Sequence, residues 1–176
     1  QYVDELESKT NEIKSVNTLK VCFKSNKIKG FNTDIYGFEL SLKKFIKNKK
    51  MKAILFGDGG VAKTIKYILE KEKIQYIQVS RNNKKNIKYR ELEKQHFENH
   101  QLIINSTIIG MHPHEKEKIN INYEYINEKH FVFDLIYNPK KTEMLKECFK
   151  RGAKIKNGLE MLKLQAKKSF DIWTNE

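Results

Sequence analysis

Two stretches of this chain carry residue types suited to chemistry. The first is Gly30-Phe31-Asn32-Thr33-Asp34-Ile35-Tyr36-Gly37-Phe38, which sets a carboxylate at the expected start of a helix. The second is Phe56-Gly57-Asp58-Gly59-Gly60-Val61-Ala62-Lys63, a glycine-rich turn between an apolar run and a helical one. Gly57-x-Gly59-x-x-Ala62 satisfies a dinucleotide fingerprint. Gly57 permits a tight turn, Gly59 lets the backbone approach a pyrophosphate, and Ala62 allows helix and strand to pack closely. The helix N-terminus behind the turn offers N–H groups to phosphate. Against this reading, Asp58 puts a negative charge beside the phosphates. An acid placed near a dinucleotide points to hydride transfer.

The end of the following strand tests the type of dinucleotide. A site for NAD usually has an acid there for the ribose 2′-hydroxyl, and a site for NADP has cations for the 2′-phosphate. The chain has Ser80-Arg81-Asn82-Asn83-Lys84-Lys85, with no acid. Arg81 is one of few arginines and can both grip and stack. The expectation is NADP.

Asp34 has two readings from the residues alone. As a first-turn or N-cap acid it complements the helix dipole. As a carboxylate at a cleft it binds a substrate hydroxyl and orients a cationic acid–base partner. Spacing favours the first. His112 and His114 share a polar loop without a third ligand at a metal-site spacing, so no metal is expected, and His96, His100 and His130 are set aside with them. Cys22 and Cys148 are isolated and are expected to be reduced thiols of a cytoplasmic protein.

Positioning these residues takes alternating elements. Asp4 to Lys14 has helical spacing, with Leu6 and Ile13 facing inward, and Val16 to Phe23 reads as extended. Phe38, Leu42, Phe45 and Ile46 make one helical stripe after Asp34. Ala53-Ile54-Leu55-Phe56 is a continuous apolar run, as in a strand buried on both faces. Helix is expected over Ala62–Lys71, Tyr89–Gln95, Thr142–Arg151 and Leu159–Trp173, with Gly152 ending the third. Strands are expected over Ile74–Ser80, Leu102–Asn105, Phe131–Leu135 and Ala153–Ile155. Such alternation implies an α/β fold with a doubly wound, Rossmann-like parallel sheet.

Composition bounds the rest. The 176 residues are 39% hydrophobic and 11% aromatic, enough for one well-cored domain or one domain and part of another. No apolar run reaches the roughly 18 residues of a membrane span, and Gln1-Tyr2-Val3-Asp4-Glu5 is no signal peptide. The formal charge of +13 raises nucleic-acid binding. The lysines are nevertheless spread along the chain among acids, and the cluster Lys43-Lys44-Phe45-Ile46-Lys47-Asn48-Lys49-Lys50 suits a helix C-terminus. A solvated basic surface is the better reading, with no nucleic acid and no membrane as partner.

Six blocks, in order, resemble the shikimate dehydrogenase family. They are Val16-Asn17-Thr18; Asn32-Thr33-Asp34-x-x-Gly37; Gly57-x-Gly59-Gly60; Asn105-Ser106-Thr107-x-x-Gly110-Met111; Asp134-Leu135-Ile136-Tyr137-Asn138-Pro139 with Thr142; and Asn157-Gly158-Leu159-x-Met161-Leu162-x-x-Gln165, leading into Ser169-Phe170. The resemblance implies NADPH-dependent, reversible reduction of 3-dehydroshikimate to shikimate in aromatic amino-acid biosynthesis. It implies that Asn17, Asp34 and Gln165 contact substrate hydroxyls and that Tyr137 lies against the substrate. Gly57, Asp58, Gly59, Gly60 and Val61 would cradle the pyrophosphate. Ser80, Arg81, Asn82, Asn83, Lys84 and Lys85 would hold the 2′-phosphate end, and Thr107, Leu135 and Gly158 would line the nicotinamide side.

The family pairs the acid at Asp34 with a catalytic lysine in an Asn-x-Thr-x-Pro-x-Lys motif, expected just upstream of the region matching Gln1. The family's serine-containing substrate loop and its last helix are expected outside these 176 residues too. The resemblance therefore divides the chain into a remnant of the substrate-binding domain (1–33), an NADP-binding domain (34–158) and a helix leading back (159–176), with apolar surface exposed along the early strand and helices and little or no turnover by the chain alone. Asp58 stands where the family usually has alanine, and Ile108-Ile109 replace a frequent proline. A non-catalytic nucleotide-binding or interaction module, a nucleic-acid binder and a quinate-using variant are the alternatives.

Overall fold

The structure is a computed structural model that describes residues 3–22, 24–47, 50–81 and 85–174. Phe23 of the early strand and Asn82, Asn83 and Lys84 of the cation loop lie outside the described residues.

Five parallel strands form the larger sheet: β4 (Ala53–Phe56), β5 (Tyr76–Val79), β6 (Leu102–Asn105), β7 (Phe131–Asp134) and β8 (Lys154–Lys156), in the order β5-β4-β6-β7-β8. Residues alternate between two cores. Ala53 and Leu55 of β4 point into one with Leu102, Ile104 and Phe133, while Ile54 and Phe56 point into the other with Ile103 and Val132. A strand covered on both sides has no polar face to alternate, which is why Ala53–Phe56 and Leu102–Asn105 read as unbroken runs.

Helices α2 (Asp34–Phe45), α3 (Gly60–Lys71) and α6 (Leu159–Thr174) supply the first core. α3 buries Ala62, Ile65, Ile68 and Leu69, one stripe at helical spacing. The second core is closed by α4 (Lys94–Asn99), α5 (Glu143–Lys150) and the single turns Tyr89–Glu91 and Tyr123–Tyr125. Thr142 caps α5 by accepting from Leu145 N, and Gly152, at φ +83°, takes the chain out of it.

A smaller sheet precedes these elements. β2 (Thr18–Cys22) pairs antiparallel with β3 (Lys27–Phe31), and β3 pairs parallel with the two-residue β1 (Glu5–Leu6). This corrects the helix expected over 4–14. Asp4 N donates to Ile28 O (2.9 Å) and Glu7 N to Gly30 O (3.0 Å), so the edge of β3 captures the first turn and α1 begins only at Ser8 (Ser8–Ile13). Leu6, expected inward, is 38% exposed, whereas Ile13 is buried. The helix expected over Tyr89–Gln95 is likewise two pieces. Leu92 and Glu93 are extended between them, and Glu93 N donates to His96 Nδ1 (3.0 Å) to start α4.

The two sheets meet through α2 and α6, which pack closely on each other. Gly37 makes that possible, since a Cβ there would lie 2.7 Å from Met161 O. Glu160 ties the junction, bridging Lys44 (2.8 Å) of α2 and Lys156 of β8. Those two ammonium groups, Lys156 foremost, hold its carboxyl down to about 2. Trp173 Nε1 donates to Leu19 O (2.9 Å), fastening the end of α6 to β2.

Candidate active site

Strand order reverses between β4 and β6, and in open parallel sheets the crevice at the carboxyl ends beside such a switch is where ligands sit. Here the glycine turn leaves β4 and the Asn105-Ser106-Thr107 segment leaves β6. Gly57 has φ +104°, and a Cβ there would lie 2.6 Å from Ser106 Oγ, so the turn needs glycine on both counts. Ser106 holds the two strand ends together, its N–H (2.9 Å) and hydroxyl (2.6 Å) both donating to Phe56 O. Gln78 Nε2 donates to Gly57 O (2.8 Å) from β5, a support that no motif announced. Around Gly59 and Gly60 the structure is open: a Cβ at either meets nothing within 4 Å. The first turn of α3 begins there: Ala62 N donates to Gly59 O (3.1 Å), and the N–H groups ahead of it have no partner within the helix.

Beside this turn lies a cleft of about 420 Å³. It brings together Asp34 from α2, Val61 from α3, Thr107 after β6, Leu135 and Tyr137 after β7, and Gly158, Met161 and Gln165 at or in α6. Seven of these eight were singled out in the sequence; Met161 appeared there only within a family block. Ile108, Met111, His112, Asn138 and Leu162 also line the cleft. His112 was set aside as a surface residue, and nothing in its spacing signalled the cleft; its ring pairs with Glu115. Among the described residues no group of three or more His, Cys, Asp or Glu is disposed to hold a metal ion.

Asp34 is the first residue of α2, after an N-cap at Thr33. Burial raises its carboxyl above the usual range, and a hydrogen bond from the Asn17 side chain pulls it partly back. Asn17 is exposed and outside the cleft lining, so it reaches the site through Asp34 and Thr33; its Oδ1 accepts from Thr33 N (2.9 Å).

Beneath the other wall runs a buried polar chain. Asn105 Oδ1 accepts from Thr107 N (2.9 Å) and Thr107 Oγ1 (2.8 Å), and its Nδ2 donates to Asp134 Oδ1 (2.9 Å). Asp134 also accepts from Ile136 N (3.1 Å) and Thr142 Oγ1 (2.6 Å). Burial pushes this carboxyl up to about 6 despite three donors. The chain fixes the backbone after β6 and β7, the strand ends that carry Thr107 and Leu135. Gly158 closes that wall: a Cβ on it would lie 1.8 Å from Leu135 O.

The cation loop is a separate neighbourhood. Ser80 is buried, accepting from Asn86 Nδ2 (2.9 Å) and donating its N–H to Ile87 O (3.1 Å), so it closes the loop at the edge of the depression that holds Arg81. Arg81 is exposed, in a shallow depression with Lys88, Tyr89 and Arg90. Burial raises the Tyr89 hydroxyl; Arg81 lowers it and Asp58 raises it, so both charges reach the same face. Lys85 is exposed.

Relatives by sequence extend along nearly the whole chain. A curated protein from Pelagibacter ubique (strain HTCC1062) is 41% identical over 184 residues, covering 98% of this chain and 67% of its own length, and is named shikimate dehydrogenase (NADP(+)). This chain belongs to the shikimate dehydrogenase family. A curated shikimate dehydrogenase (NADP(+)) from Aquifex aeolicus (strain VF5) is 37% identical over 97% of the chain. A crystal structure of a shikimate dehydrogenase in complex with NADP+ superposes with a TM-score of 0.83 at 31% identity, covering 99% of this chain and 66% of that one. The Aquifex aeolicus crystal structure gives 0.85 at 32%. No family model matches the chain. The chain spans about two thirds of the length of these shikimate dehydrogenases. No described helix is long and apolar enough to cross a membrane.

Proposed function

We propose that this chain forms the NADP-binding part, and an adjoining piece of the substrate-binding part, of a cytoplasmic shikimate dehydrogenase that interconverts 3-dehydroshikimate and shikimate. Residues 34–158 would form the nucleotide unit, 1–33 the piece of the substrate half, and 159–176 the helix between them. One observation carries the reading. A half-buried carboxylate at the head of α2 shares a cleft with Thr107, Leu135 and Gly158, directly beside an open glycine turn at the sheet's switch point.

The residues present fit the nucleotide. The first-turn N–H groups of α3 and the open space at Gly59 and Gly60 suit a pyrophosphate, with Gly57 making the turn and Val61 at the cleft. Arg81, exposed beside Lys88, suits a 2′-phosphate. NADP supplies the hydride chemistry when bound. Asp34 accepts a hydrogen bond from a substrate hydroxyl and orients the acid–base group that serves the reacting oxygen. Gln165 offers an amide to a second hydroxyl, and Tyr137 covers the substrate. No lysine lines the cleft among the described residues, so the chain assayed alone binds NADP without oxidising shikimate.

Calorimetric titration with NADP and with NAD tests this. Micromolar-range NADP binding and at least tenfold weaker NAD binding are expected. Asp58 favours one other reading, a module that no longer holds nucleotide, because its exposed carboxylate sits in the turn. Binding of neither nucleotide by the wild-type chain, with binding restored in Asp58→Ala, would establish that second reading.

A further inference from the structure

Thr33 is an N-cap residue of the type that ordinarily spends its hydroxyl on the helix, yet it makes no side-chain cap bond. Asn32 Oδ1 takes that task for Ile35 N (3.3 Å). The Thr33 hydroxyl instead joins two others in a buried triangle. Thr33 Oγ1 lies 3.0 Å from Ser169 Oγ and 3.3 Å from Thr18 Oγ1, and Thr18 Oγ1 lies 2.9 Å from Ser169 Oγ. The three residues are 2%, 3% and 8% exposed for Thr33, Thr18 and Ser169, so no solvent serves them. They come from α2's cap, from β2 and from α6, three elements that only the fold brings together.

The triangle is bordered by acceptors. Each hydroxyl has one proton to give: Thr18 Oγ1 gives its own to Asn17 Oδ1 (3.1 Å), Ser169 Oγ to the Gln165 carbonyl (3.1 Å), and Thr33 Oγ1, which lies 3.2 Å from the already occupied Asn17 Oδ1, to Gln165 Oε1 (3.3 Å). Thr33 N also donates to Asn17 Oδ1 (2.9 Å). A backbone N–H has no acceptor role, so the Asn17 atom facing it must be the oxygen. The Asn17 amide is thereby turned with its NH₂ group outward, toward the Asp34 carboxylate that it steadies. With Oε1 of Gln165 drawn to the Thr33 hydroxyl, its NH₂ group is the part left for the cleft.

We propose that Thr33, with Ser169 closing the triangle, is a positioning residue that sets the amides of Asn17 and Gln165 oxygen-inward, so that the cleft meets its ligand with N–H donors beside the Asp34 carboxylate. A hydroxyl group of a ligand then accepts from Gln165 and donates to Asp34. The ligand part of this inference rests on the proposed shikimate reading. The amide part does not.

Thr33→Val removes the hydroxyl at nearly constant volume and keeps the backbone N–H; Thr33→Ser restores the hydroxyl. In ¹H–¹⁵N spectra of the chain, the Gln165 side-chain NH₂ pair should be resolved and rigid in wild type and Thr33→Ser, and averaged and mobile in Thr33→Val. The Asn17 pair, held by the backbone, should change little. In the protein carrying the complete active site, Thr33→Val should raise KM for shikimate about tenfold, the loss of roughly one hydrogen bond, with the Kd for NADP unchanged and Thr33→Ser near wild type. Ser169→Ala should move both readouts the same way by less, and serves if Thr33→Val fails to fold. A Gln165 pair unaffected by Thr33→Val or Ser169→Ala, or a Thr33→Ser variant as impaired as Thr33→Val, overturns the proposal. If the amide responds while wild type handles neither shikimate nor NADP, the positioning role stands and the functional reading falls.

Discussion

The two sheets leave the apolar residues of their strands in opposite states. In the parallel sheet, every residue of β4 and β6 is buried, because helices cover both faces. In the small sheet, Leu19 and Val21 of β2 are each 48% exposed. Apolar side chains do not by themselves make a core; a second layer makes one. The parallel sheet has its layers within these residues, while the face of β2 that bears Leu19 and Val21 is left open to solvent. The candidate site sits where the two meet, with Asp34 following the small sheet directly and Thr107 and Leu135 at the strand ends of the large one.

The largest effect should come from the large sheet. Leu55→Ala removes a fully buried side chain from between packed layers and should lower unfolding stability by about 3 kcal/mol in chemical denaturation. A cost below about 1 kcal/mol would mean that the two sheets differ less than their burial says.

Asp134→Asn comes next and sharpens the contrast by pH. At neutral pH it replaces an acceptor of three donors by an amide, at a cost of about 1–2 kcal/mol. The folded-state carboxyl titrates at about 6, against 3.8 in its unperturbed state. The native state therefore takes up the proton first, and this group's stabilisation grows as pH falls through about 6 and is complete below about 3.8. Asparagine does not titrate, so the gap between wild type and variant should widen by up to roughly 3 kcal/mol between pH 7 and pH 4. Denaturation series at both pH values measure it; a gap that narrows on acidification would mean that the three donors outweigh burial.

Val21→Ala should be the smallest, within about 0.5 kcal/mol, since much of the side chain is already in water. A loss as large as that of Leu55→Ala would show that the open face of β2 is covered in solution, as by self-association, which sedimentation would reveal.

Much of the large sheet was legible because its signals are local. Ala53–Phe56 and Leu102–Asn105 form strands where the continuous runs stand, and Gly152 ends α5 where a glycine stop was expected. The small sheet was harder. Asp4–Glu7 has the spacing of a helix, but β3 offers an open edge, and two ladder bonds outweigh a short helical turn whose nucleation is unfavourable. Ser80, singled out as a ligand contact, also closes its loop, its hydroxyl accepting from the Asn86 side chain, a partner that no motif signalled. His112 was dismissed for lack of a metal partner, yet the loop after β6 carries it to the cleft.

By itself the sequence determined the alternation of strands and helices, the glycine turn and the acid that follows Asn32-Thr33, since each depends on residues within one or two turns of chain. Its ordered blocks were enough to name the family. Only the tertiary structure decided which hydroxyls face which amides. Thr18, Thr33 and Ser169 are scattered over 151 residues, and their bonds exist because α6 returns across α2 to reach β2. Tertiary packing likewise made Gly158 obligatory, through a carbonyl that belongs to another strand's end. Local propensity carries no information about partners so distant in sequence. The free energy that selects them comes from burying surfaces that meet only once the chain has folded.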